Sequence, residues 1–106
     1  RWALAGRPDA RAELRVWTGI DGRAALLVMD RVFTEAGTRW IVDYKTSRHE
    51  GADRESFLDR ERERYREQLE RYARVLQALE GPSPTSLGLY FPLLNGWRDW
   101  TPPADR

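Results

Sequence analysis

The chain has 106 residues, 41% hydrophobic and 33% charged, with a net charge of +1 and no cysteine. This suits one soluble domain around one core; it excludes disulfides and thiolate zinc sites, fits a reducing cytoplasm, and offers no global basic field of the kind that announces a nucleic-acid partner. No apolar run of about 18 residues could span a membrane, no signal-peptide pattern opens the chain, and a start at Arg1 rather than Met reads as a piece of something longer.

Residues 1–10, RWALAGRPDA, look like the tail of an upstream element followed by a Gly/Pro loop. A strand is expected over 12–18 (AELRVWT), a turn at 19–22 (GIDG) and a second strand over 23–33 (RAALLVMDRVF). A turn at 35–38 (EAGT), where Gly37 can take positive φ, leads to a third strand over 39–46 (RWIVDYKT), rich in aromatic and β-branched residues. After the polar SRHEGA loop, apolar residues fall at Leu58, Tyr65, Leu69, Tyr72, Leu76 and Leu79, in steps of seven, four, three, four and three. That spacing predicts a helix over 53–80, N-capped by Asp53 and stopped by Gly81-Pro82. It should pack on the sheet through Leu58, Leu69, Leu76 and Leu79, with Tyr65 and Tyr72 at least half buried. Residues 86–94 (SLGLYFPLL) return to strand character, with Pro92 at an edge or bulge, and the Asn95-Gly96 turn lets 97–100 (WRDW) pair back. The fold class expected is α/β or α+β, one domain over 1–106 with a small sheet and a long helix on one face.

A hairpin turning between Ala36 and Gly37 pairs Thr34 with Arg39, Val32 with Ile41, Asp30 with Asp43 and Val28 with Lys45, all on one sheet face. Directly opposed carboxylates have Cβ atoms about 4.5–5.5 Å apart and repel. A hard divalent cation relieves that repulsion, and Mg²⁺ is commonly held by one or two carboxylates with water and phosphate. Asp43 and Lys45, two residues apart, point the same way. Lys45 is the one lysine among 18 Lys and Arg residues. A compact ammonium with a movable pKa can sit beside a scissile phosphate where a wide, permanently charged guanidinium cannot. The plainer reading of Asp-X-Lys on a strand is a surface ion pair. Against it, Asp43 and Lys45 alternate with Trp40, Val42 and Tyr44 in a strand read as buried, where unpaired charge is expensive.

Gln68 and Tyr72 lie four apart on one helix face, with Tyr65 a turn earlier. They are either an amide and a phenol aimed at the strand ends, or core anchors beside a solvated amide. The other helix charges, of mixed sign, read as a solvated face. Glu13 is an exposed strand charge or a third carboxylate, and His49 a loop residue.

Asp30 in MDRVF, the DYKTS run from Asp43 to Ser47, the FLDRERERYREQLERYA helix with Gln68 and Tyr72, and LGLYFPLLNGW together resemble the C-terminal nuclease domain of RecB/AddA-type helicase-nucleases, in the PD-(D/E)XK superfamily. The resemblance runs from about Glu13 to Trp100. Leu27 stands where that family commonly has Gly, and the family's upstream helix with a metal-ligating His is not among these residues. The resemblance implies a restriction-endonuclease-like core. It implies Mg²⁺, with Mn²⁺ as a substitute, bound by Asp30, Asp43 and the Tyr44 carbonyl, and Lys45 acting on the attacking water and on charge at phosphorus. Gln68 and Tyr72 match the family's helix motif. Function follows as an expectation: a DNA nuclease acting on single-stranded DNA or DNA ends, working with a linked or partner helicase in double-strand-break repair. The alternative is a catalytically silent nuclease-like module for DNA-end holding or subunit docking.

Overall fold

The apolar run read as one strand over 23–33 is two strands, separated by a bend at Asp30. The structure is a computed structural model that describes residues 13–20, 22–47 and 53–103; the expectations for residues 1–12 and for His49 lie outside them. Strand β1 (Leu14–Ile20) pairs antiparallel with β2 (Arg23–Met29), Leu14 opposite Met29 and Val16 opposite Leu27. Strand β3 (Arg31–Glu35) pairs antiparallel with β4 (Thr38–Tyr44), Arg31 opposite Val42 and Thr34 opposite Arg39. One alternating run therefore serves a two-stranded sheet before Asp30 and a four-stranded sheet after it. Its β-forming residues satisfy either partner, so local propensity does not mark the change.

The β3–β4 turn places both Ala36 (φ 52°) and Gly37 (φ 80°) in the left-handed region. A two-residue turn of that hand matches the right-handed twist of the strands it joins. It fixes the expected pairing of Thr34 with Arg39 and Val32 with Ile41, but the ladder stops at Arg31–Val42: Asp30 lies in the bend, and Val28, expected opposite Lys45, faces Arg15 in the two-stranded sheet because the chain changes sheets at Asp30.

The larger sheet has the order β3-β4-β5-β6, with β5 spanning Thr85–Phe91 and β6 spanning Gly96–Trp100. β4 and β5 are parallel, so a crossover is required, and helix α1 (Arg54–Glu80) supplies it. Asp53 begins the helix by accepting from the Ser56 backbone N–H at 3.0 Å and the Ser56 hydroxyl at 2.7 Å. Gly81 ends it, its N–H donating to the Gln77 carbonyl. Leu58, Leu69, Tyr72, Ala73 and Leu76 bury against Val32, Ile41, Leu87, Leu89 and Phe91 in one core, which Val16, Leu27 and Met29 of the β1–β2 hairpin extend. Leu79 does not join it: 62% exposed, it lies in the last helical turn, on the flank of the buried stripe rather than on its centre line. Arg39, at the start of β4, donates to the Gly81 carbonyl at 3.2 Å and so anchors the helix C-terminus to the strand.

The other end of α1 is fastened to β6 and the turn before it. Arg54 donates to the Leu94 and Asn95 carbonyls, and Arg98 pairs with Glu55 and Asp59. Pro92–Leu94 form a short 3-10 turn after β5, and Asn95 closes it in the left-handed region (φ 49°). The protein is mixed α+β, with a small mixed sheet and one long helix.

Candidate functional site

Period-two alternation along β4 assigns its two faces. Trp40, Val42 and Tyr44 lie on the side where Phe33, Tyr90 and Trp97 gather. Ile41 points to the helix-covered core, and with it Asp43 and Lys45. Asp43 is therefore at the margin of an apolar core, 7% exposed, and Lys45 lies just past the end of the strand.

Asp30 comes to the same place from the bend between β2 and β3. Its Oδ2 accepts the Tyr44 backbone N–H at 2.9 Å. The Lys45 N–H donates to the Tyr90 carbonyl at 2.8 Å, which carries the β4–β5 ladder one residue beyond the strand. Backbone groups alternate in direction along a strand, so Tyr44 directs its N–H and C=O to the β3 side, where the Asp30 carboxylate takes the place of a ladder partner.

Asp30 also acts on Asp43: burial, then the neighbouring Asp30 carboxylate, raise the Asp43 carboxyl from its ordinary 3.8 to about 6, against the pull of Lys45. Lys45 Nζ lies 2.7 Å from Asp43 Oδ2. That buried oxygen nonetheless has no well-aligned hydrogen-bond donor. The two facts are compatible: the ammonium neutralises the oxygen by proximity and leaves its directional capacity unused. The oxygen-only donor set, two neighbouring carboxylates and the Tyr44 carbonyl on the Asp30 side of the strand, has the hardness Mg²⁺ prefers. Among the described residues no group of three or more His, Cys, Asp or Glu side chains gathers around a metal position. A cation here would draw its remaining ligands from water and substrate.

The helix contributes differently from expectation. Gln68 donates to the Tyr72 hydroxyl at 2.6 Å, so the two do share a face, and Tyr72 is buried. Their hydrogen bond is to each other, and it ties them to the helix rather than to the carboxylates. The helix side chain that meets the lysine is Tyr65: Lys45 Nζ lies 3.8 Å from the centre of its ring. Arg64 lies near the same ring, its guanidinium carbon 5.2 Å from the centre. The periodicity put Tyr65 on the inner face but carried no sign of a cation above it.

Glu61 departs from the solvated helix face that the mixed charges suggested. It is 7% exposed, one turn before Tyr65, and 3.7 Å from Arg64. Glu13 is exposed and pairs with Arg15 at 2.6 Å.

No protein-family model matches the chain, and no curated protein matches it significantly. Among the described residues no helix is long and apolar enough to cross a membrane.

Proposed function

We propose that this chain is a Mg²⁺-dependent DNA nuclease domain with a restriction-endonuclease-like core, of the kind that hydrolyses phosphodiester bonds of single-stranded DNA alongside a helicase. The observation that carries the reading is the meeting of Asp30, Asp43 and the lone lysine where β3 begins and β4 ends. Asp30, Asp43 and the Tyr44 carbonyl would hold the cation, which when bound would supply Lewis acidity toward phosphate and acidify the attacking water. Mn²⁺ suits the same oxygen donors.

The chain's own residues do the rest. Asp30 braces the end of β4 through the Tyr44 N–H, fixing the separation of the two acids. Asp43 presents a buried oxygen whose lone pairs have no aligned donor. Lys45 holds a positive charge beside that oxygen, where a phosphate in transit accumulates negative charge. Removing such a preorganised group typically costs about 10²–10³ in rate. Gln68 and Tyr72, bonded to each other, would stiffen the inner face of the helix that carries Tyr65.

The 2.7 Å Asp43–Lys45 pair favours a second reading, a silent module for holding DNA ends or docking a subunit, because the ammonium already neutralises the acid a metal would use. Cleavage of single-stranded DNA by wild type, Lys45→Ala and Asp43→Ala, with and without Mg²⁺, separates the two. The nuclease reading expects metal-dependent cleavage lost in both variants, with DNA binding retained because one ammonium adds little to many phosphate contacts. Metal-independent DNA binding with no cleavage by the wild type would support the silent module.

A further inference from the structure

We infer that Tyr65 is a positioning residue for Lys45: its ring holds the ammonium in place when Asp43 turns to the metal. The inference rests on the nuclease reading above.

Lys45 has two attractive neighbours, the Asp43 carboxylate at 2.7 Å and the Tyr65 ring at 3.8 Å. They are not equivalent. Asp43 Oδ2 is also one of the oxygens a bound cation would take, so metal and lysine compete for it. An ammonium held by that carboxylate alone would be released as the metal arrived, at the moment its position matters. The ring offers no lone pair to a metal. It attracts the ammonium through its quadrupole without neutralising it or accepting its proton, which leaves the charge available to a phosphate.

The ring is itself held. Tyr65 is partly buried and packed against the main core, from a helix pinned at both ends by Arg39, Arg54 and Arg98. The Lys45 side chain is 19% exposed, so the contact is largely removed from water, where such pairs are strongest. Lys45 also begins where the ladder ends. Its backbone is fixed by the Tyr90 carbonyl, but its four-carbon stem runs beyond the strand, and a flexible stem needs a distal anchor to give the charge one position.

The test uses the single lysine. Protein labelled with ¹³C-lysine gives one lysine side-chain signal, and protons near an aromatic ring's axis shift upfield. The Lys45 ε-protons are expected upfield in wild type and in Tyr65→Phe, and at the ordinary lysine position in Tyr65→Leu. The upfield shift should persist when Mg²⁺ is added. In cleavage assays of single-stranded DNA with Mg²⁺, Tyr65→Leu should lose on the order of 10- to 100-fold in kcat with KM little changed, and Tyr65→Phe should recover most of the rate. If Tyr65→Leu fails to fold, the wild-type shift with and without Mg²⁺ and the Tyr65→Phe rate still decide. Wild type that cleaves while showing no upfield shift overturns the positioning role and leaves the nuclease reading intact. Wild type that shows the shift but cleaves nothing overturns the nuclease reading, and the positioning role in that reaction with it. A kcat in Tyr65→Leu equal to wild type overturns the inference alone.

Discussion

Asp30 holds the Tyr44 backbone N–H with its carboxylate, at 2.9 Å, so the first acid is fastened to the strand that carries the second. The bond stands where β3 has ended and a ladder partner would otherwise be needed. It gives Asp30 two separable roles, as a backbone acceptor and as a negative charge beside Asp43.

Asp30→Asn separates them. The amide oxygen can still accept from Tyr44, and the repulsion with Asp43 is removed, so stability should stay within about 0.5 kcal/mol of wild type or rise. Asp30→Ala loses the bond and should cost about 1 kcal/mol. Both should lose Mg²⁺ binding. Urea denaturation with Mg²⁺ titration calorimetry checks the pair; equal stability of the Asn and Ala variants would show that the Tyr44 bond contributes nothing.

The raised Asp43 carboxyl sets a pH dependence. It titrates near 6 in the folded protein against an ordinary 3.8, so the folded state holds the proton more tightly than the unfolded chain. Its contribution to stability is therefore fully present below 3.8 and is lost as pH rises through about 6. The unfolding midpoint of the metal-free protein should fall across this window, and Asp43→Asn should flatten the fall. Mg²⁺ should restore stability on the alkaline side and bind more weakly on the acid side, because proton and cation compete for one carboxylate.

Ala36 occupies a left-handed conformation (φ 52°) that alanine tolerates poorly and asparagine readily. With Gly37 following, Ala36→Asn creates the Asn-Gly pair that such turns prefer. It should stabilise the protein by about 0.5–1 kcal/mol without affecting cleavage. Thermal unfolding at fixed pH reads the change, and a lowered midpoint would refute the turn assignment.

Gly88 lies in the parallel strand next to β4, under the Trp97 ring. A Cβ there would stand 2.5 Å from the ring's nearest carbon. Gly88→Ala should cost about 1–3 kcal/mol as the indole is displaced. Because Gly88 lies opposite Val42, on the face away from Asp43, Mg²⁺ affinity of the folded fraction should change little. Denaturation and calorimetry on the same sample would show whether the two faces are energetically separate.

The parts of the fold legible in the sequence are those that local chemistry encodes. Asp53, the leucine and tyrosine spacing and Gly81 delimit α1 to within a residue, because a cap, a stripe and a stop all act over one turn. The Ala36-Gly37 turn and the period of two give the β3–β4 register and bring Asp30 to Asp43. The break at Asp30 was not legible: whether Met29 and Arg31 serve one sheet or two depends on strands elsewhere in the chain. Tyr65 over Lys45 was hidden for the same reason. The spacing places the ring on the inner face, but its height along the sheet follows from how the crossover seats α1. The burial of Glu61 and the exposure of Leu79 show the limit of periodicity, which knows the angle around a helix and not how far the sheet extends beneath it.

The parallel pairing of β4 with β5 also sets a sequence of events in time. The other strand pairs are hairpins between chain neighbours, which form in about 1–10 μs, whereas β4 meets β5 only after a loop containing the 27-residue helix has closed. Asp43 gains Leu89 as its neighbour, and Lys45 gains Tyr65, through that closure. The two acids and the lysine are therefore expected to lose their water only with that closure, after the folding barrier, so that the cluster assembles late and comes apart early. Relief of that strain in Asp43→Asn should slow unfolding in stopped-flow measurements and leave the folding rate near wild type; a changed folding rate would move the cluster's assembly ahead of the barrier.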